Sequence, residues 1–358
     1  MKGIYLYPIT ARDHTGVSNP YIQRLAGALS NSFQVVNRNE PSNRGIMDII
    51  KFLPSTDILY LNWIEDLPAK HMGYLQTLFF FLLRGYCRAA GKKIVWTLHN
   101  KQSHTGNHLF MKNLIFRFMK SRSDLVVTHA EEGLTILPRR TRKLYIPHPV
   151  TGDPFAGTAE GTGSVKQHDI IIWGTIAAYK GVDAFLRYLE MEGILDQYRI
   201  LIAGKVVERG LEEFLENLAG KHPRLVLVNR FVPDRELAGM INGAGVTLFT
   251  YHASSVLSSG ALMDSLHHDS VIMGPHTGAF VDLARENLIR TYRDYGDLVE
   301  QLVLLKKKDF MEPYRSELKR RFMKEHTWEM FNQKLAPHLN ALFRINGRSS
   351  REARRSPS

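Results

Sequence analysis

One pattern constrains this chain more than any other, and it runs twice. Short apolar segments alternate with amphipathic helical stretches over residues 1–150, stop, and start again at 168. In the first run KGIYLYPI, FQVVNR, DILYLNWI (57–64), KKIVWTLHN (92–100), SDLVVTHA and KLYIPHPV read as strands. Between them lie NPYIQRLAGALSN, with Asn19 as cap and Pro20 at its first position, a long amphipathic helix over 68–90, another over 107–121, and the short EEGLTIL. In the second run the strands are HDIIIWG, YRILIAG, RLVLVNRF, VTLFTY, DSVIMG and LIRTY, each followed or preceded by a helical stretch. Strands separated by crossover helices pair in parallel, so each run predicts a parallel sheet wrapped by helices on both faces. The expected fold class is α/β: two doubly wound, Rossmann-like domains facing a cleft. A chain of 358 residues is long for one core, which agrees with two.

The boundary falls at TGDPFAGTAEGTGSVKQ, residues 151–167, which is rich in Gly, Thr and Pro and has no apolar period. It separates a first domain, 1–150, from a second, 168–325. A helical end covers about 312–343, and its last part, 326–343, is expected to cross back to the first domain. The basic tail 344–358 has the composition of a disordered segment.

The charge is unevenly divided. Residues 1–150 carry +11, 151–341 carry −3 and 342–358 carry +4. A basic first half can meet nucleic acid, anionic lipid or a phosphorylated substrate, or simply be a solvated face. The single cysteine, Cys87, excludes an internal disulfide and suits a reducing compartment as a small packed side chain. MKGIYLYPI reads as a first strand rather than a signal segment. The longest apolar run, YLQTLFFFLLRGY at 74–86, is well short of the roughly 20 residues that span a bilayer. The expected location is the cytoplasm, with peripheral attachment to the inner face of the membrane left open.

In doubly wound sheets, ligands bind where strands end. The polar residues at strand ends of the first domain are Asn62, His99, Asn100, His129 and His148. In the second domain WGTIAAYKG (173–181) links its first strand to its first helix, and Lys180 sits beside a helix start, where free N–H groups attract anions. LIAGK places Lys205 at the end of the next strand, and LFTYHASSVLSSGALMDSL places Ser258, Ser259 and Gly260 before a helix. Ser is a good cap, and Gly lets a phosphate approach the backbone closely. Three such ends on one sheet edge point to a phosphate or diphosphate, although each alone suits an ordinary solvated lysine or cap. Neither GxxxxGK[ST] nor GxGxxG occurs, so a P-loop ATPase or nicotinamide site is unsupported. Nor is a metal-binding DxD apparent, and no metal site is expected.

Taken in order, these pieces resemble the nucleotide-sugar domain of GT-B glycosyltransferases, closest to family 4, over about 170–340 and more loosely over 90–150. The family pattern G-R-x(4)-K-G reads here as Gly174-Thr175-IleAlaAlaTyr-Lys180-Gly181, so the family arginine is Thr175. The family's E-x(7)-E is degraded: Asp264 stands at the second Glu and Val256 at the first, with Ser255 beside it. The resemblance implies that Lys180 stabilises a departing diphosphate, with Lys205 as a substitute cation for the missing arginine. Asp264 would hold the donor ribose, Phe231 and Val232 would border the base, and the amides of Ser258 to Gly260 would face the phosphates. For Phe231, core packing is the equal alternative. His99 in WTLHN matches the family's T-x-H at a first-domain strand tip, where the imidazole faces the sugar; His129 is a weaker candidate. In the first loop, ITARDHTGVSNPY, Gly16 would pass close to the phosphates, and Asp13 or His14 would reach an acceptor as a base.

The same resemblance implies transfer of a sugar from a UDP- or GDP-sugar to a saccharide or lipid-linked saccharide. The transfer would be retaining and metal-independent, without a cofactor, in bacterial surface polysaccharide synthesis. An inverting transferase or a sugar-nucleotide epimerase is the alternative. A nucleic-acid partner is disfavoured, since the excess charge lies in the domain without phosphate loops and no recognition module appears. Aromatics 79–81 beside Arg84, Arg88, Lys92, Lys93, Lys112, Arg117, Lys120 and Arg122 suit an anionic membrane surface, or else the aromatics are core.

Overall fold

A computed structural model describes residues 1–9, 20–101, 108–151, 166–310 and 314–344. The first sheet holds β1 (Gly3–Tyr7), β2 (Gln34–Val35), β3 (Ile58–Asn62), β4 (Lys93–Leu98), β5 (Leu125–Thr128) and β6 (Lys143–Tyr145). The second holds β7 (His168–Trp173), β8 (Ile200–Ala203), β9 (Leu225–Val228), β10 (Ala244–Leu248), β11 (Val271–Pro275) and β12 (Arg290–Tyr292). Every neighbouring pair is parallel, in the orders β2-β1-β3-β4-β5-β6 and β12-β11-β10-β7-β8-β9. Both sheets are therefore doubly wound, with direction reversing between β1 and β3 in one and between β7 and β10 in the other. Central strands bury both faces, which is why Ile58–Asn62 and Ile170–Ile172 read as continuous apolar runs rather than alternating ones.

The helices are α1 (Pro20–Leu29), α2 (Gly73–Ala89), α3 (Leu109–Arg122), α4 (Glu131–Ile136), α5 (Val182–Met191), α6 (Arg209–Lys221), α7 (Asp234–Asn242), α8 (Gly260–Ser265), α9 (Gly278–Arg285), α10 (Tyr295–Lys306), α11 (Tyr314–Glu325) and α12 (Trp328–Asn340). The helix expected from 68 begins later. Pro68 falls in a 3₁₀ turn over Ile64–Ala69, Lys70 is extended and Met72 is left-handed at φ 52°, so α2 starts at Gly73. The helical end expected as one piece is two, because Thr327 leaves helical geometry and its hydroxyl accepts the Met330 amide, capping α12. Phe331, Leu335 and Leu339 of α12 lie in one apolar core with Ile22, Leu25 and Leu29 of α1 and Ile4 and Leu6 of β1. A second core spans both sheets, joining Trp96 and Ile115 to Phe249, Tyr251 and Phe280. Burying this much apolar surface between the two halves is the chief force holding them together.

Candidate functional site

The C-terminal end of β7 is the switch point of the second sheet. Gly174 leaves the strand at φ +94°, a conformation that L side chains resist. The neighbouring Gly204 leaves β8 so close that a Cβ there would sit 1.9 Å from the Gly174 carbonyl oxygen. Ile176 bridges to Val206, and a 3₁₀ turn, Ala178–Lys180, leads through left-handed Gly181 into α5. The Thr250 hydroxyl, after β10, donates to the Lys180 carbonyl at 2.6 Å. The backbone of Lys180 is thus tied to both strands of the switch point.

The Lys180 side chain folds back over Gly174. Its ammonium lies 3.5 Å from the Trp173 carbonyl and 5.7 Å from the centre of the Tyr251 ring. A Cβ on Gly174 would stand 3.2 Å from Nζ. The residue is 7% exposed, and among the described residues no carboxylate lies within ion-pair distance of it. Burial lowers its pKa to about 8. A buried cation without a counter-ion is costly unless something negative joins it.

Around it the other second-domain candidates divide. Thr175 is exposed beside Gly174. Lys205 is exposed and paired with Glu212 at 3.7 Å. The Ser258 hydroxyl is buried with no partner among the described residues, while that of Ser259 bonds the Tyr251 hydroxyl at 3.0 Å instead of capping α8, which begins at Gly260. Asp264, on α8, accepts the Thr151 hydroxyl, and burial pushes its carboxyl up against that bond and the nearby Arg24. Phe231 is 67% exposed, so core packing is not its role; Val232 packs instead with Ile171, Leu201 and Ile241.

The first-domain edge is built differently. His99, at the end of β4, stacks on Trp63 at 4.1 Å and meets the edge of Tyr21 at 4.9 Å. Its Nε2 donates to Asn62 Oδ1 at 3.0 Å, and the Asn62 amide donates to the Tyr7 carbonyl at 3.1 Å. His129 accepts the Tyr21 hydroxyl at 2.8 Å and donates from Nδ1 to the Ile146 carbonyl. His148 donates to the Pro149 carbonyl and lies 5.1 Å from His129, with Trp328 and Phe331 of α12 closing the box. Burial drives all three imidazoles down, His99 well below its usual range, His129 to about 4 and His148 to about 3. They are neutral at pH 7. Among the described residues no three His, Cys, Asp or Glu side chains converge to hold a metal. Asp13, His14 and Gly16 lie outside the described residues.

A clamp closes the cleft between these edges. Asn100 bridges Val256 in antiparallel fashion, and the Lys101 amide donates to the Ser255 carbonyl at 3.0 Å. The Lys101 ammonium reaches Glu132 at 2.5 Å and the Ala253 carbonyl at 2.9 Å. Glu132 in turn accepts the Gly278 amide at 2.8 Å, placing a carboxylate from the first domain on the N-terminus of α9. Sequence reasoning singled out neither residue, because an ion pair 31 positions apart has no local pattern. It also missed Tyr21, Trp63 and Trp328, which only tertiary packing brings to the histidines.

No family model and no curated protein matches the sequence. Solved structures do match in shape. Sucrose-phosphate synthase from Thermosynechococcus elongatus is 11% identical at a TM-score of 0.67, over 96% of this chain and 99% of that one. Anabaena HepE in complex with UDP and glucose is 11% identical at 0.64, over 95% and 100%. A trehalose-phosphate synthase from Burkholderia xenovorans in complex with glucose-6-phosphate is 13% identical at 0.53, over 83% and 76%. This chain has the GT-B fold. In the GT-B frame the switch point of the second sheet and the histidine edge of the first face each other across the clamped cleft.

Proposed function

We propose that the protein is a glycosyltransferase that takes a sugar from a nucleotide-sugar donor. Lys180 carries this reading: a buried ammonium without a carboxylate partner among the described residues, over a left-handed glycine at a sheet switch point, is matched by a diphosphate. GT-B neighbours in complex with UDP, UDP-glucose or a sugar phosphate support the same ligand class. In this reading Lys180 and the nearby amides stabilise charge on the departing diphosphate. Asp264 and Phe231 border the nucleoside, and the neutral His99 offers a hydrogen bond to a hydroxyl. Lys205 is a lesser contributor, since Glu212 already neutralises it. Retention of anomeric configuration, metal independence and a role in surface polysaccharide synthesis belong to the same reading, by family resemblance.

The first domain would meet an anionic membrane surface. The Phe run itself does not carry this: Phe80 is buried, and Phe79 and Phe81 pack against the core. What is exposed is a stripe at helical spacing on α2, Tyr74, Leu78, Leu82 and Tyr86, and Phe110 and Leu114 on α3. The helices run side by side in parallel, with Tyr74 bonded to His108 at one end and Arg84 to the Arg122 carbonyl at the other. Arg88, Arg117 and Arg122 flank the stripe, as lipid headgroups require. Among the described residues no helix is long and apolar enough to cross a membrane.

Calorimetric titration with UDP, GDP and ADP tests the donor side. At least one should bind wild-type protein and bind Lys180→Ala at least tenfold more weakly. Absence of heat with all three overturns the reading.

A further inference from the structure

A cavity of about 590 Å³ opens in the first domain, away from Lys180. Its lining includes Tyr7 at the end of β1, the turn Ser42–Asn43–Arg44, and Lys70 and His71 before α2. This is a size that holds a small ligand. One of its lining residues, Tyr7, is tied to the histidine edge: its carbonyl accepts the Asn62 amide, and Asn62 Oδ1 accepts from His99.

Both walls are fixed. Asp48 accepts the amides of Asn43 at 2.8 Å and Arg44 at 2.9 Å and the hydroxyl of Ser42 at 3.1 Å. Partial burial pulls its carboxyl up, but those bonds outweigh the pull and hold it below the usual range. Buried Gln76 ties the walls together: Oε1 accepts the Ile46 amide at 3.1 Å, and Nε2 donates to the His71 carbonyl at 2.6 Å. Left-handed Gly45 is required there, because a Cβ would meet Gln76 Oε1 at 2.0 Å.

The lining is of one sign. Arg44 and Lys70 present a guanidinium and an ammonium, both exposed and neither in an ion pair among the described residues, with His71 beside them. Among the described residues no carboxylate lines the cavity. Of the acids behind its walls, Asp48 is turned into the backbone of the turn and spent on three hydrogen bonds, and Asp66, near Tyr7, is paired with Lys112 at 3.3 Å. A planar fork of donors and a point charge lining one cavity are what a phosphate dianion fits.

We infer that this cavity binds a phosphomonoester, and that it is where an acceptor carrying one is held. The acceptor role rests on the glycosyl-transfer reading; the anion site does not. The phosphomonoester is either on a soluble sugar or at the head of a lipid. Met72, on the cavity rim, leads directly into the exposed stripe of α2, so both sources have a route in.

Two arms separate the sources. The first is calorimetry with glucose 6-phosphate; the second is flotation with phosphatidylcholine vesicles containing phosphatidic acid, compared with vesicles containing the diester phosphatidylglycerol. Both use the full chain, Arg44→Gln/Lys70→Gln and Lys180→Met. In at least one arm, wild type and Lys180→Met should bind the monoester alike, and the double variant should bind it about tenfold more weakly. Glucose 6-phosphate as the responder assigns a soluble acceptor; a loss on phosphatidic acid vesicles that is absent on phosphatidylglycerol assigns a lipid one. Monoester binding absent in both arms, unchanged in the double variant, or lost only with Lys180→Met overturns the inference. UDP binding in the double variant is the control: if UDP binds no form, the glycosyl-transfer reading fails while the anion result stands.

Discussion

The two sheet edges that face each other are built on opposite electrostatic plans. The first-domain edge stacks three imidazoles between Tyr21, Trp63, Trp328 and Phe331 and keeps them neutral by burial. The second-domain edge strips the chain to glycine at 174, 181 and 204 and leaves a buried ammonium with no carboxylate beside it among the described residues. Neutral rings with fixed tautomers match neutral hydroxyls and do not compete for an anion. A cation desolvated in advance attracts an anion strongly but destabilises its own domain until one arrives. The cleft is thereby divided by charge state as well as by shape.

The sharpest way to break this comparison is Lys180→Met. If Lys180 serves a diphosphate, turnover should fall roughly 10²- to 10³-fold, the usual loss when a donor to a developing anion is removed. The same change should raise stability by about 1 kcal/mol, because a buried charge without a counter-ion disappears. Sugar release from UDP-glucose and GDP-mannose, with thermal melting beside it, reads both. A variant that loses stability while keeping its rate would show Lys180 to be structural.

Acid should unfold the two edges unequally. His129 and His148 have native pKa values near 4 and 3 against 6.5 when unfolded, so the unfolded chain binds more protons as pH falls. Stability contributed by these neutral rings is complete above about 6.5 and is lost as pH drops toward 4, on the order of 3 kcal/mol from His129. Buried Glu65, raised by burial to about 7, opposes the loss between its unfolded 4.5 and 7, but it is one group against three. Hydrogen exchange of the β4 and β5 amides should therefore accelerate between pH 6.5 and 4.5, relative to intrinsic rates, more than that of β7 and β8. Equal acceleration in the two sheets would remove the distinction.

A smaller effect is expected at His99. Its ring is buried and stacked, so His99→Ala should cost about 2–3 kcal/mol of stability as well as activity. The catalytic part should be about tenfold in kcat, the worth of one hydrogen bond to a substrate hydroxyl. Phe331→Leu loosens the same box without touching the His99 hydrogen bond. A matching tenfold loss in that variant would assign the whole effect to packing.

How far the sequence can be read depends on which contacts are local. Strands ending in Asn62, His99, His129 and Trp173 are visible because buried parallel strands are apolar runs and their polar ends stand out. Gly174 and Lys180 are legible because a turn into a helix has a short-range signature. The 3₁₀ segment Gly45–Ser55 that walls the phosphomonoester cavity is not, since Gly45 and Pro54 near its ends read as turn signals even though Ile46, Ile49, Ile50 and Leu53 recur at helical spacing. Nor is the pairing of Lys205, whose partner Glu212 stands in the first turn of the following helix and is brought back to it only by the intervening loop. The clamp of Lys101 on Glu132, Thr277 and Ala253 joins segments up to 176 positions apart, and nothing in either segment announces the other.

The last test sharpens the charge argument at Lys180 through the proton that binding moves. Its native pKa, lowered by burial to about 8 from 10.5, means that the unfolded chain holds the proton more tightly. The destabilisation is full below about 8 and is relieved as pH rises toward 10.5, the same direction as at the histidine edge but in a higher pH window. A bound diphosphate restores the charged form, so above pH 8 binding should draw a proton from solution. Calorimetry of UDP at pH 9 in buffers of different ionisation enthalpy should show uptake approaching one proton, falling to near zero at pH 7. Lys180→Met should abolish the uptake while any residual binding remains. Uptake that persists in the variant would move the responsible group elsewhere and leave Lys180 with no diphosphate to hold.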